Sequence, residues 1–145
     1  MQKTIKIIIV SVCLAISLCA CGNNYDLHIE KYDWKLSVVQ SASTGDVIYC
    51  SEEMKGTYPD VEVLVLECKI GDEVINISDG NYTWEITYRV AEETQDSIIY
   101  DIEYAETGNI YIGNAVSGVT EFTDDTYEHT LIIRIGDYSL QFINE

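Results

Sequence analysis

From Trp34 onward apolar and polar residues alternate, and that period of two confines the chain to a sheet. The longest run sets Tyr82, Trp84, Ile86, Tyr88 and Val90 against Thr83, Glu85, Thr87 and Arg89. Side chains of an extended chain point alternately to its two sides, so this pattern predicts a strand with one apolar face. Trp34, Leu36 and Val38 alternate with Lys35, Ser37 and Val39, and a short strand, Asp46 to Cys50, follows a Ser-Ala-Ser-Thr-Gly turn. Ser51 to Asp60 reads as a loop with one helical turn at Ser51–Lys55. Val61 to Ile70 reads as a single strand. A two-residue turn at Gly71-Asp72 would set Cys68 against Ile75 and Leu66 against Ile77. Ile98, Tyr100, Ile102 and Tyr104 form the next strand, Ile110 to Val116 the one after, with Gly118 to Phe122 either continuing it or standing alone. Last, Leu131, Ile133 and Ile135 meet Tyr138, Leu140 and Phe142 across Gly136-Asp137. The fold class predicted is all-β: an antiparallel up-and-down meander of about eight strands closed into a barrel, since closure removes sticky edges. A β-sandwich is the alternative.

The start of the chain follows another rule. Lys3 and Lys6 precede a mostly apolar run, residues 7–20, which is 14 residues long. That is short of the roughly 20 a spanning helix needs, and the arrangement reads as an export signal. Leu18-Cys19-Ala20-Cys21, followed by Gly22, resembles the lipobox of bacterial lipoproteins. The resemblance implies a diacylglycerol thioether on Cys21 and cleavage before it, with cleavage by an ordinary signal peptidase near Ala20 as the alternative. Two acyl chains are enough for stable membrane attachment. The expected organisation is therefore a signal peptide over residues 1–20, a polar lipidated tether over 21–33, and one barrel domain over 34–145.

Charge narrows the partners. Without Lys3 and Lys6, six basic residues face 25 acidic ones, a net charge of −19. Nucleic acid and anionic lipid or wall polymer are poor partners, because each contact would add repulsion instead of releasing counterions. A basic protein, a cation or a neutral ligand stays open, and the charge alone also serves solubility.

Of five cysteines, two fall in the signal and Cys21 carries the lipid, leaving Cys50 and Cys68. Outside the cytoplasm these form a disulfide, or they are buried thiols on neighbouring strands. No second Cys or His stands at zinc-ligand spacing.

Catalytic patterns are missing. His28 and His129 have no nucleophile motif beside them and read as solvated; the pairs Glu52-Glu53, Glu92-Glu93 and Asp124-Asp125 read as loop charge. Asp124, Asp125 and Glu128 lack the alternating oxygen spacing of a calcium loop. The chain is read as non-enzymatic, with no cofactor. Its 11 tyrosines set it apart. Tyr82, Trp84, Tyr88, Tyr100 and Tyr104 are the candidate lining of a ligand site inside the barrel, against the plainer account that aromatic residues suit strands.

A Trp on the first strand, the meander, and a closing Leu-Ile-Ile-Arg-Ile-Gly-Asp-Tyr-Ser-Leu-Gln-Phe hairpin resemble the lipocalin-like small lipoproteins of Gram-positive gut bacteria. That family's opening motif has Gly two places before the Trp, where this chain has Tyr32. The resemblance implies a barrel with one interior site and an Arg, here Arg134, stacked on Trp34. The expectation is a lipid-anchored extracytoplasmic lipoprotein. Either it binds a small apolar or aromatic ligand inside the barrel, or a solid-core barrel serves as an acidic protein-interaction or envelope-structural module.

Overall fold

The computed structural model describes residues 24–145. Its strands are β1 (Trp34–Ser41), β2 (Val47–Cys50), β3 (Glu62–Val63), β4 (Glu67–Ile70), β5 (Val74–Ser78), β6 (Thr83–Glu93), β7 (Ser97–Glu106), β8 (Asn109–Glu121), β9 (Tyr127–Ile135) and β10 (Tyr138–Asn144). Strands β4 to β10 pair in sequence order, and β1 closes the ring by pairing with β4 on one side and β10 on the other. The result is a closed, lipocalin-like antiparallel barrel of eight strands in meander order. Strands β2 and β3 lie outside that ring as a parallel pair joined to β1 through β2.

Alternation and turn chemistry explain most of this. In the last hairpin Ile135 pairs with Tyr138, Ile133 with Leu140 and Leu131 with Phe142, as the sequence predicts, and Gly136 takes the left-handed φ of +57° that the two-residue turn requires. Gly118 to Glu121 continues β8.

Three details differ from expectation. The β4–β5 turn is centred on Asp72-Glu73, not Gly71-Asp72: the Gly71 amide donates to the Val74 carbonyl at 2.9 Å and Glu73 carries a φ of +60°. Cys68 then faces Ile77 and Ile70 faces Ile75. A slip of two residues keeps every side chain on its own face, so the apolar pattern alone does not distinguish the two registers. Second, β1 bulges between Leu36 and Val38. Val39, not Val38, then continues the inward face with Trp34 and Leu36, while Val38 and Cys50 are buried outside the main core cluster. Third, Val61 to Ile70 is not one strand. The β1 edge is shared, Trp34 and Lys35 pairing with β4 and Val38 to Gln40 with β2, so the chain changes partner between β3 and β4.

The barrel is filled. Ile75, Ile98, Tyr100, Ile102, Leu131, Ile133 and Phe142 are each at most 2% exposed and belong to one cluster. Eight strands enclose an interior that side chains can fill or that can hold one small ligand, and here side chains occupy it. Each fully buried side chain of this kind contributes about 1.5–3 kcal/mol.

The stretch predicted as a polar tether is partly core. Leu27 and Ile29 are buried in the same cluster, and a 3₁₀ turn, Ile29–Lys31, leads the chain into β1. Two bonds, one long-range and one local, hold this segment over one barrel end: the Ser117 hydroxyl donates to the Leu27 carbonyl (2.7 Å) and the Trp34 indole N–H donates to the Ile29 carbonyl (2.8 Å). Isolated apolar residues in a polar stretch carry no periodicity, which is why the plug is silent in the sequence.

Candidate functional site

The five aromatic residues proposed as an interior lining divide among three surroundings. Tyr100 is buried in the barrel, edge-on to Tyr88 at a centroid distance of 5.4 Å. The Tyr88 hydroxyl donates to the Gly71 carbonyl (2.8 Å), and burial pushes that phenol up to about 12. Both rings are packing residues of the plugged end. Trp84 packs against the core from the opposite half, edge-on to Tyr82 at 5.1 Å. Only Tyr82 and Tyr104 line a depression, and it lies on the outer surface of the sheet instead of inside it.

That depression, about 350 Å³, is built from β5, β6 and β7. The inward positions of β6 and β7 include Ile86, Ile98, Tyr100 and Ile102, so the alternate positions Glu85, Thr87 and Glu103 face out. Thr87 pairs with Val74 on one side and Glu103 on the other, and its hydroxyl donates to the Glu103 carbonyl at 3.3 Å. Glu85 and Glu103 are diagonal neighbours on one face, and neither makes an ion pair among the described residues. The hydroxyls of Tyr82 and Tyr104 meet at 3.4 Å. The contact with Tyr82, then desolvation, then the negative charge of Glu106 raise the Tyr104 phenol well above its ordinary value, so it stays a neutral hydroxyl.

The same face continues onto β8. Ile112 pairs with Glu103 and Ile110 with Ala105, and these two isoleucines are 77% and 63% exposed. Sequence reasoning that centred on tyrosines missed Glu85, Glu103, Ile110 and Ile112. The hairpin turns between β6, β7 and β8 fix the register that brings them together, so the signal lay in the outward half of each alternation.

Other expectations resolve as follows. Cys50 and Cys68 are free, buried thiols, 0% and 7% exposed. Cys50 pairs with Val38 and Cys68 with Trp34, four positions apart on β1, or roughly 13 Å at about 3.3 Å per residue, which is beyond disulfide reach. Burial pushes the Cys68 thiol up to about 12. Cys21 lies outside the described residues. Arg134 does not stack on Trp34: it is exposed at an outward position of β9, whereas the indole is buried with its edge toward Tyr32 at 5.8 Å. His129 is not solvated. It is 6% exposed and stacks on Tyr32 at 4.0 Å, with Tyr25 and Tyr127 edge-on to it. Desolvation lowers its pKa, opposed by the charge of Asp26. His28 instead lies at the surface, its Nδ1 2.9 Å from Asp26. Asp26 also binds Lys31, and these contacts hold its carboxyl well below the usual range.

The acidic pairs lie apart: Glu52-Glu53 in a 3₁₀ turn, Asp124-Asp125 in the β8–β9 turn, and Glu92-Glu93, expected in a turn, at the end of β6 opposite Ile99 and Ile98. Lys35 reaches Glu53 at 3.0 Å, and Asp124 accepts the Thr126 amide (3.1 Å) and hydroxyl (2.5 Å), a local turn lock. No group of three or more metal-ligating residues gathers among the described residues. Comparison of the chain with protein-family models, curated proteins and solved structures finds no match.

Proposed function

We propose that this protein is a lipid-anchored extracytoplasmic lipoprotein, non-enzymatic, whose solid-core barrel works through its acidic outer face as a protein-interaction module. The filled interior carries the reading: Ile75, Ile98, Tyr100, Ile102, Leu131, Ile133 and Phe142 occupy the space a ligand would need. Recognition then falls to the outer surface, where the described residues carry a net charge of −19.

The plug supports the same arrangement. Packing begins by Tyr25, whose hydroxyl donates to Glu121 (2.8 Å), four positions after Cys21. Four residues span at most about 14 Å. A lipid on Cys21 therefore holds the plugged end close to the membrane, and the β7–β8 tip at the other end of β8 points away from it.

The smaller reading, binding of a small aromatic or apolar ligand, rests on the depression beside Tyr82 and Tyr104 and moves that ligand from the interior to the outer wall. Metabolic labelling with a palmitate analogue, followed by membrane fractionation of wild type and Cys21→Ala, tests the anchor. Label and membrane retention both vanish in the variant if the reading holds. Cross-linking on intact cells at low and high salt tests the module, and salt-insensitive capture or none at all counts against it.

A further inference from the structure

We propose that the outer face of β5 to β8 docks a basic amphipathic segment of a partner protein, with a Lys or Arg side chain in the depression between Glu85 and Glu103 and apolar side chains over Ile110 and Ile112. This rests on the reading of the barrel as a protein-interaction module, and it names the surface and the chemistry of what binds.

The argument begins with complementarity. Glu85 and Glu103 share one face, neither is paired with a Lys or Arg among the described residues, and the arginine of β6, Arg89, is already bound to Asp101 at 3.1 Å. Two neighbouring carboxylates in a concavity favour an incoming positive charge. A free metal ion is a poorer fit, because the wall also offers apolar surface from Val74 and Ala105, which suits the methylene stem of a long cationic side chain.

The second half of the surface is apolar. Ile112 lies directly across from Glu103 and Ile110 directly across from Ala105, one ladder step from the depression. Ile110 and Ile112, exposed side by side on a highly charged sheet, form an apolar strip that a partner could cover. Charge and aliphatic area one strand apart match a segment that alternates cationic and apolar residues. A purely charged partner would leave Ile110 and Ile112 wet, and a purely apolar one would leave the carboxylates desolvated and unpaired. The face also lies toward the barrel end opposite the plug of Leu27 and Ile29, where a partner can approach it.

The test measures binding of a short acetylated peptide of alternating Lys and Leu to the full chain in detergent, by calorimetry. A Lys-Ser peptide of equal charge is the control. The expected result is saturable binding to the Lys-Leu peptide, about tenfold weaker for Lys-Ser. Ile112→Ser should weaken the Lys-Leu peptide by about tenfold, and E85Q/E103Q together by about as much with a smaller salt dependence. The exposed pair Glu52 and Glu53, changed to Gln, should leave it unaltered. Near-ultraviolet circular dichroism checks that each variant keeps its fold. Equal binding of both peptides, or equal loss on neutralising Glu52 and Glu53, overturns the docking face while leaving an acidic module intact. No binding of either peptide at low salt overturns the module reading as well. Spermidine binding as tightly as the peptide makes the occupant a free polyamine, and self-association abolished by Ile112→Ser makes it a second copy; either result overturns the proposal.

Discussion

The hydroxyl of Ser117 donates to the carbonyl of Leu27 at 2.7 Å across 90 residues of sequence, tying the barrel wall to the segment that plugs it. With Ile29 fully buried behind it, this segment is a structural part of the domain. Truncating Ile29 to Ala should cost about 2–5 kcal/mol, the usual range for opening a cavity in a packed core. Ser117→Ala leaves a carbonyl unpaired and should cost about 1–3 kcal/mol. Urea unfolding reads both as a lower midpoint at unchanged slope. A midpoint unmoved by Ile29→Ala would mean that the plug is not seated.

Tyr100 carries the opposite sign. Its hydroxyl is buried beside the Ser117 hydroxyl and the Ile29 backbone but meets neither in full hydrogen-bond geometry, while its ring fills the core. Removing only the oxygen discards a desolvation cost and keeps the packing. Tyr100→Phe should be neutral or raise stability by about 1 kcal/mol. A loss of stability on thermal unfolding would reveal a bond to that oxygen.

His129 sets an acid-side limit. Its folded pKa lies below the ordinary 6.5 because burial under Tyr32 disfavours the charged ring. The unfolded chain then binds more protons as pH falls through 6.5, so the fold loses stability between that value and the lower folded pKa. Asp26 opposes the shift, and Tyr25, Tyr32 and Tyr127 add no positive charge nearby. In His129→Phe the dependence of the urea midpoint on pH between 7 and 5, a range set by the ordinary pKa of about 6.5, should flatten. An unchanged slope would assign it to other groups.

The thiol of Cys68 acts at the alkaline end. Burial raises its pKa from 9.0 to about 12, so the unfolded chain releases this proton first and stability falls as pH rises through that window. Replacing Cys68 with Val should remove up to about 1.4 kcal/mol per pH unit of the alkaline slope. In the native protein, a thiol reagent should find Cys50 and Cys68 unreactive, and it should titrate both in denaturant without prior reduction. Two thiols appearing only after reduction would restore the disulfide.

Gly113 tests the wall itself. A β-carbon there would sit 2.0 Å from the Arg134 carbonyl oxygen, a backbone atom that cannot swing aside. Gly113→Ala should therefore cost about 1–3 kcal/mol, with amide exchange rising along β8 and β9. Gly56→Ala, where nothing lies within 4 Å, is the control that should change little.

Much of the barrel was readable because hairpins are local. Leu131 to Phe142 contains its own alternation and its own Gly-Asp turn, so pairing, register and inward face follow from one short stretch. Reading the site met a different limit. Alternation told which face Glu85 and Glu103 share, but attention to Tyr100 and Tyr88 placed the candidate site inside, and only packing showed those rings to be core.

By itself the sequence determined the all-β class, the meander, and the division of each long strand into an apolar and a polar face, since these depend on neighbours one to ten residues apart. Tertiary structure decided the rest: that Leu27 and Ile29 plug the barrel, that His129 is sheltered by Tyr32, that Cys50 and Cys68 stand too far apart to bond, and that Ile112 meets Glu103 beside an open depression. Each of those outcomes is a meeting between segments whose own patterns are silent about each other. Closing the ring is what brings them together, because burial is set by the partners that close over a residue and not by its own side chain.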